Sequence, residues 1–281
     1  GGPTEFIIDG ETGLVAEPNA ASIGAALARL ATDRPLAARL AAAGKTRGEQ
    51  ITWQEVVDAI LDASATAPIA VAPEAEVGRR SPRRLVVLTT FPINEPAHGG
   101  QLRARHLYGS LARWRPVEVV ALVGFGNQPA RQNLSPGLTQ VVVPRSYEHD
   151  AAGTQLSNDA RTPVTDLVAG SHIAETPAYL RALADACDGA SAVLVAEPYL
   201  LPALEHLGID LPLIYDAYNV EADLKAAAYP DTEMGRDLLA QVRALEARAV
   251  GSASLVTTCS GADADVLAAQ ATTDETRFAV V

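Results

Sequence analysis

The chain has 281 residues, of which 48% are hydrophobic and 20% are charged, a balance typical of a globular protein with about two domains. Its net charge of −12 repels a phosphate backbone, which argues against nucleic acid as a partner. We expect neither a transmembrane helix nor a signal peptide, because the apolar runs are short and no basic segment precedes one near the start.

The cysteines and histidines predict neither a disulfide scaffold nor a metal site. Cys187 and Cys259 lie far apart with no C-x-x-C or histidine spacing, and they are interpreted as small apolar residues in a reducing, cytoplasmic compartment. His149 and His172 lie in polar surroundings without metal-ligand spacing. The single methionine is Met234, and the chain opens inside a segment with a strand-like pattern, so we expect a fragment of a longer protein.

Residues 1–63 are predicted to form a small, mostly helical piece. A strand at Phe6 to Ile8 and a turn at Asp9-Gly10 precede three helices. The first helix is expected over Ala20 to Ala31 with Asn19 as N-cap, and the second from near Pro35 to Gly44. The third follows Thr52, and one side of it carries Trp53, Val56, Val57 and Ile60. Such a piece has little core of its own and needs a larger body to pack on. Residues 64–82, rich in Ala, Pro and Ser, are predicted to be a linker.

From residue 83 onward, strands alternate with helices, which predicts a Rossmann-like α/β domain with a parallel sheet covered on both faces. The predicted strands are Leu85 to Leu88, Val117 to Val123, Thr139 to Val143, Ala192 to Ala196, Leu213 to Asp216, Ser254 to Thr258 and the final run Phe278 to Val281. The predicted helices are Gln101 to Arg113, Pro177 to Cys187, Leu200 to Leu207, Glu233 to Val250 and Ala262 to Ala271. The polar stretch from Arg145 to Val164 is expected to be mobile.

The loop after the first of these strands contains Gly99 and Gly100 and leads directly into a helix. Glycines at a helix start let backbone N–H groups face an anion, and Arg103 and Arg105 add positive charge nearby. An ordinary glycine turn with solvated arginines explains the same residues equally well. Since G-x-G-x-x-G is absent, use of NAD or FAD is disfavoured, and no cofactor is predicted.

A second polar segment follows the strand that ends at Asp216. Asp216, Tyr218, Asn219 and Glu221 provide several hydrogen-bonding groups that suit a polyhydroxylated ligand, although Asp and Asn also serve in turns and caps. Glu197 follows the preceding strand in the same way. Because ligands of open α/β sheets bind at the carboxyl ends of the strands, we expect these groups to lie at one edge.

Three segments carry a family resemblance: RRLVVLTTFPINEPAHGGQLRARHLYGSLAR, LPLIYDAYNVEADL and ASLVTTCSGADADVL. In order and spacing they resemble the N-terminal, acceptor-side domain of retaining nucleotide-sugar glycosyltransferases of the GT-B fold, the group 1 or family 4-like enzymes. The resemblance covers residues 83–281. It implies a retaining hexosyltransferase that moves a sugar from a nucleotide-diphosphate sugar to a hydroxyl of a glycan, lipid or small molecule, without a bound metal. Peripheral contact with a membrane is compatible with it.

Residues 1–63 resemble a different part of the same family. GGPTEFIIDGETGLVAEPNAASIGAALARL is similar to the closing stretch of the C-terminal, donor-binding domain, and ITWQEVVDAIL to its terminal tryptophan-bearing helix. The tail of one unit thus precedes the head of another. This order implies that the sequence is a stretch of a longer protein with two tandem units. In it, a remnant of a second Rossmann-like domain (1–63) and a linker (64–82) precede the acceptor-side domain (83–281).

The resemblance also implies roles for single residues. Gly99 and Gly100 match the family's glycine-rich loop near the donor phosphates and the acceptor, and Asp216 to Glu221 match a motif on the acceptor side of the cleft. Tyr218 stands where many relatives have a histidine that helps to hold the transferred sugar, and a phenol can still donate a hydrogen bond. The expected substrate-binding residues are Gly99, Gly100, Arg103, Glu197, Asp216, Tyr218, Asn219 and Glu221, and Tyr218 is the candidate for a catalytic role.

The basic residues and paired glutamates of the family's donor domain have no counterpart in this sequence. Since such charges stabilise the leaving diphosphate, we expect negligible turnover by this fragment alone. Two alternatives stay open. One is a non-catalytic α/β module for sugar or nucleotide binding or scaffolding, favoured by Tyr218 and the missing basic residues, and the other is a GT-B-fold sugar-nucleotide epimerase.

Overall fold

The computed structural model describes residues 7–50, 54–65, 83–271 and 276–280. Phe6, Thr52, Trp53, the side chain of Val56, most of the predicted linker and Val281 lie outside the described residues. Within those ranges, no helix combines the length and the apolar character that a bilayer crossing requires.

The N-terminal segment forms the predicted helices with altered ends. Helix α1 (Ala20–Thr32) begins at the expected cap, where the Asn19 side chain accepts a hydrogen bond from Ser22 N at 2.9 Å. Helix α2 (Arg34–Gln50) continues through Gly44, so the predicted end there is wrong. A Cβ at Gly44 would lie 2.8 Å from the Thr12 carbonyl oxygen, which explains the glycine as a close approach between backbones.

The strand predicted at the start of the chain is also wrong for its described residues. Ile7 and Ile8 belong to no strand, and the backbone forms only an isolated bridge between Asp9 and Gly13. The predicted turn is present, with Gly10 at φ 74°. Among residues 7–50, 54–65, 83–271 and 276–280, no neighbouring strand pairs with Ile7 and Ile8.

An eight-stranded sheet forms the centre of the molecule. Its strands are β1 (Leu85–Thr89), β2 (Val117–Val123), β3 (Ala130–Ser135), β4 (Leu138–Pro144), β5 (Ala192–Val195), β6 (Leu213–Ala217), β7 (Ala253–Thr258) and β8 (Arg277–Val280). Their order is β3-β4-β2-β1-β5-β6-β7-β8, and each neighbouring pair is parallel except β3 with β4. The predicted α/β architecture is therefore confirmed, and β3 is an addition to it.

Further helices cover the sheet. They are α3 (Gln54–Ala65), α4 (Gly99–Leu111), α5 (Tyr147–Ala160), α6 (Thr165–Ser171), α7 (Pro177–Cys187), α8 (Leu201–Leu207), α9 (Glu221–Ala228), α10 (Glu233–Ser252) and α11 (Gly261–Ala268). All five residues of β1 are buried, because alternate side chains enter two separate apolar clusters. Val86 and Leu88 belong to one cluster, and Leu85 and Val87 to the other. Both faces of the sheet are thus covered, as the continuous apolar run predicts.

Helix α3 packs against the central sheet. Val57 and Ile60 are buried in the same cluster as Leu85 and Val87. The helix therefore packs on the sheet of residues 83–281, while the assignment of residues 1–63 to a separate unit stays a prediction.

The expectation of a mobile stretch from Arg145 to Val164 is wrong. Helix α5 occupies most of it, begun by the Ser146 hydroxyl, which accepts from His149 N at 3.1 Å. His149 is fully buried and hydrogen-bonded through its ring to Thr176 Oγ1 at 2.8 Å and to the Val168 carbonyl at 3.1 Å. Burial lowers the pKa of His149 to about 4. The helix was missed because its buried face is built from His, Gly and Ala, which give no apolar periodicity.

Candidate functional site

The carboxyl edge of the sheet has a crevice at the point where the strand order reverses. The chain runs outward from β1 to β2 and β4, then returns to place β5 on the other side of β1. Ligands of open α/β sheets bind at such a switch point. Here Thr90, which follows β1, donates a hydrogen bond from Oγ1 to Glu197 Oε2, which follows β5. The predicted Glu197 therefore lies at the switch point.

The carboxyl group of Glu197 has a raised pKa. Burial raises its pKa to about 7, opposed by the hydrogen bond from Thr90 and reinforced by the charges of Glu221 and Asp166. A carboxyl group that titrates near neutrality at this crevice can either donate or accept a hydrogen bond there.

Asp216 is the centre of a buried polar cluster one strand further along. Its carboxylate is fully buried and accepts from Arg103 Nη2 at 2.5 Å, from Thr257 Oγ1 at 2.6 Å and from Tyr108 OH at 3.0 Å. Burial acts to lower the pKa of Arg103, but Asp216 outweighs it and the pKa is raised. The Arg103 guanidinium therefore stays charged inside the protein, and well-placed hydrogen bonds hold it against Asp216.

The predicted glycine loop meets the predicted Asp216 motif through Tyr218. A Cβ at Gly100 would lie 3.3 Å from Cδ2 of the Tyr218 ring, whereas Gly99 faces open space. The Arg103 guanidinium lies 5.4 Å from the centroid of the same ring, and the Phe91 ring lies 6.3 Å away. The structure thus brings Gly100, Arg103, Asp216 and Tyr218 together, although the two motifs are far apart in sequence.

The hydrogen bonds around Tyr218 leave its oxygen able to accept a hydrogen bond, while its proton is already used within the protein. Burial raises the pKa of Tyr108 and of Tyr218 well above the usual value, so both phenols keep their protons. The Tyr108 hydroxyl donates its proton to the Asp216 carboxylate. Because Tyr108 has no second proton, Tyr218 is the donor in the 3.2 Å hydrogen bond between the two phenol oxygens. In this arrangement the Tyr218 oxygen can accept a hydrogen bond from a ligand, and its role in ligand binding stays a prediction.

Glu221 and Asn219 differ in accessibility. Glu221 is buried and accepts from Tyr199 OH at 2.6 Å, while the exposed Asn219 reaches it from Nδ2 at 3.4 Å. The backbone N–H groups of Glu221 and Ala222 donate to Glu246 at 2.6 and 3.2 Å. Glu246 thereby satisfies the start of helix α9 from a different helix. Glu221 positions the loop, and Asn219 is the member that faces outward.

Sequence reasoning missed a second group of charged residues at this edge. Lys225 forms an ion pair with Asp166, and its Nζ lies 5.6 Å from the centroid of the Tyr199 ring. Both charges lie on helices, α9 and α6, that the sequence pattern did not predict. A cavity of about 90 Å³ at the same edge is lined by Thr90, Leu122, Arg145, Thr165, Asp166 and Ala169.

Arg105 points away from this site. Its Nη2 donates to the Leu134 carbonyl at 3.0 Å, so it adds no charge to the glycine loop. Among the described residues, no three His, Cys, Asp or Glu side chains are grouped so that they could hold a metal ion.

Comparison with known proteins gives only distant structural likenesses. No protein-family model and no curated protein matches the chain. Solved structures that resemble it include the trehalose 6-phosphate synthase of Burkholderia multivorans, at 17% identity and a TM-score of 0.38 over 68% of this chain and 43% of that one. The UDP-forming trehalose-phosphate synthases of Burkholderia vietnamiensis (TM-score 0.36) and Burkholderia xenovorans with glucose-6-phosphate (0.37) are each 15% identical, over 66% of this chain and 42% of theirs. The chain spans less than half the length of each, and likeness of this size establishes neither its family nor its activity.

Proposed function

We propose that this chain is the acceptor-side part of a retaining glycosyltransferase of the GT-B fold. The protein transfers a sugar from a nucleotide-diphosphate sugar to an acceptor hydroxyl. In this proposal residues 1–63 are the tail of a donor-binding domain, residues 64–82 are a linker, and residues 83–281 are the acceptor-side domain.

One observation carries the proposal. The two segments with the family resemblance, the Gly99-Gly100 loop and the Asp216 to Glu221 motif, meet where Gly100 contacts the Tyr218 ring. This contact lies at the carboxyl edge of the sheet, where α/β folds bind their ligands. A chance match of two short motifs gives no reason for them to touch.

The chain's own residues supply binding and orientation in this account. The Tyr218 oxygen accepts a hydrogen bond from a sugar or acceptor hydroxyl, because its proton is directed to Tyr108. His98 provides no side-chain cap to the start of helix α4, and the N–H groups there are suited to bind an anionic group. The Arg103 charge is paired with Asp216, so it fixes the loop geometry. Stabilisation of the leaving diphosphate then falls to the donor domain, and the 281 residues alone bind without appreciable turnover.

The test measures sugar transfer by the protein in its longest expressed form. UDP-, GDP- and dTDP-linked sugars are combined with a panel of acceptors, and the anomeric configuration of the product is read by NMR. We expect transfer with retention, and a loss of about tenfold in kcat/KM for the acceptor in Tyr218→Phe, which removes one hydrogen bond to the ligand.

The matched control is Glu118→Gln, at the opposite edge of the sheet, which we expect to retain full activity. Failure of every donor, an inverted product, or an unchanged kcat/KM in Tyr218→Phe would contradict the proposal.

A binding module without catalysis is the second candidate, favoured by the pairing of Arg103 with Asp216. Calorimetry with the same donors and acceptors separates the two. Tight binding of a nucleotide sugar by the longest form without any turnover supports the module.

A further inference from the structure

Two large aromatic side chains are exposed side by side at the carboxyl edge of the sheet. Phe125 is 55% exposed and Tyr147 is 65% exposed. Their ring centroids lie 5.7 Å apart with the planes at 76°. Aromatic side chains usually bury their area, and an exposed apolar patch rimmed by polar groups is typical of a binding surface.

This aromatic pair is held in place by a polar network. Phe125 follows β2 and Tyr147 follows β4, which are parallel neighbours, so both rings lie at the edge that carries the candidate site. Phe125 N donates to Asp150 Oδ1 at 3.2 Å, and the same oxygen lies 3.2 Å from Arg145 Nη2. In the loop between the strands, Asn127 Nδ2 donates to the Gly124 carbonyl at 2.8 Å. The position of the rings is therefore defined by the fold.

Arg145 connects the aromatic pair to the cavity at the switch point. Its side chain is 14% exposed and lines the 90 Å³ cavity together with Thr90 and Asp166. Nη1 donates to the Thr165 carbonyl at 3.3 Å, but the buried Nε has no hydrogen-bond partner among the described residues. A buried donor left unpaired costs free energy, so the Arg145 side chain that lines the cavity still has hydrogen-bonding capacity.

The size of the cavity limits what can enter it. Its volume corresponds to a few water molecules, which is enough for one hydroxyl-bearing substituent and too small for a whole sugar ring. A ring attached to that substituent would lie outside the cavity, and Asp150 joins the cavity-lining Arg145 to Phe125 of the aromatic pair.

Resting on the proposed function, we propose that this surface is a subsite for a sugar ring of the acceptor. The apolar C–H face of the ring packs on the Phe125 and Tyr147 rings, and one of its oxygens enters the cavity and accepts from Arg145. The acceptor class is therefore a saccharide or glycoside. A flat aromatic acceptor would favour a slot between parallel rings, and an alkyl chain would favour a groove without the Arg145 and Asp150 charges.

The test uses saturation-transfer NMR on the 281-residue chain, with methyl glycosides of glucose, galactose, mannose and N-acetylglucosamine as probes. 4-Methylumbelliferone, a planar aromatic alcohol, is the competing probe. We expect saturation of the ring protons of at least one glycoside, and binding weakened by at least about fivefold in Phe125→Ala and in Tyr147→Ala. Tyr147→Phe keeps the ring and is expected to bind as the wild type does.

The matched control is Trp114→Ala, which removes an aromatic side chain of similar exposure, 59%, at the amino edge. It is expected to leave glycoside binding unchanged. The inference is overturned if no glycoside binds, if only 4-methylumbelliferone binds, or if binding survives in the Phe125→Ala Tyr147→Ala double variant. Glycoside binding that depends on the aromatic pair in a protein without any transfer activity would refute the proposed function and leave this subsite standing.

Discussion

The two edges of the sheet each contain an arginine–carboxylate ion pair, and they differ in burial. At the carboxyl edge the Asp216 carboxylate is 0% exposed and the Arg103 side chain is 11% exposed. At the amino edge Glu118 is 7% exposed but is bound by two arginines, Arg84 and Arg131, whose side chains are 35% and 64% exposed. An arginine–carboxylate ion pair is therefore buried at the carboxyl edge, whereas at the amino edge the arginines that bind the carboxylate are in contact with water.

The difference shows that cavity size does not identify the site. The amino edge has the larger cavity, about 420 Å³, lined in part by Arg83, Arg84 and Glu118. The cavity at the carboxyl edge is about 90 Å³, yet the hydrogen-bonded groups that surround it come from many separate segments. Burial of both partners of the ion pair distinguishes the carboxyl edge, because the two arginines that bind Glu118 are partly exposed to water.

The largest expected effect comes from removing the enclosed carboxylate. Asp216→Ala leaves the Arg103 charge without its carboxylate partner in a buried position, and we expect a loss of about 3 to 5 kcal/mol in the free energy of unfolding. Urea denaturation measures it.

The amino-edge counterpart, Glu118→Ala, is expected to cost about 1 kcal/mol, because water can reach its two arginines. Equal losses in the two variants would show that burial does not separate the two edges.

A smaller effect concerns the proton affinity of Glu197. Because burial raises the pKa of its carboxyl group from 4.5 to about 7, the folded state binds the proton more tightly than the unfolded state. The associated stability is complete below pH 4.5 and is lost as the pH rises to about 7. Glu197→Gln removes this titration, so its stability relative to the wild type should rise by about 2 to 3 kcal/mol across that interval.

Thr90→Val sharpens this prediction. The Thr90 hydroxyl lowers the pKa of Glu197, so its removal should move the loss of stability to higher pH. Unfolding free energies measured at several pH values decide both points, and a difference between Glu197→Gln and the wild type that does not vary with pH would contradict them.

The smallest effect is expected at the open edge. Arg131→Ala removes an ion pair with a mostly exposed guanidinium, at 2.8 Å from Glu118, and should change the unfolding free energy by less than about 1 kcal/mol. The change should shrink further in 1 M salt. A larger loss that persists in high salt would mean that the amino-edge pair is as well insulated as the carboxyl-edge pair.

The sequence predicted the sheet well, because strands such as Leu85–Thr89 are continuous apolar runs that only a covered sheet accommodates. It failed for helix α5, whose buried face contains His149 and Gly153. It predicted which segments would reach the carboxyl edge, since strand ends fix that. It could not predict that Arg103 would pair with Asp216 or that Tyr108 would direct the proton of Tyr218, because those contacts depend on side-chain packing between distant segments.

Hydrogen exchange with mass spectrometry, on the 281-residue chain with and without the bound methyl glycoside, tests most directly that the carboxyl edge is the ligand-binding edge. We predict slower amide exchange in residues 89–91, 124–127 and 145–150, with no change in the amino-edge segments 113–116 and 188–191. Protection confined to the amino-edge segments would contradict the account.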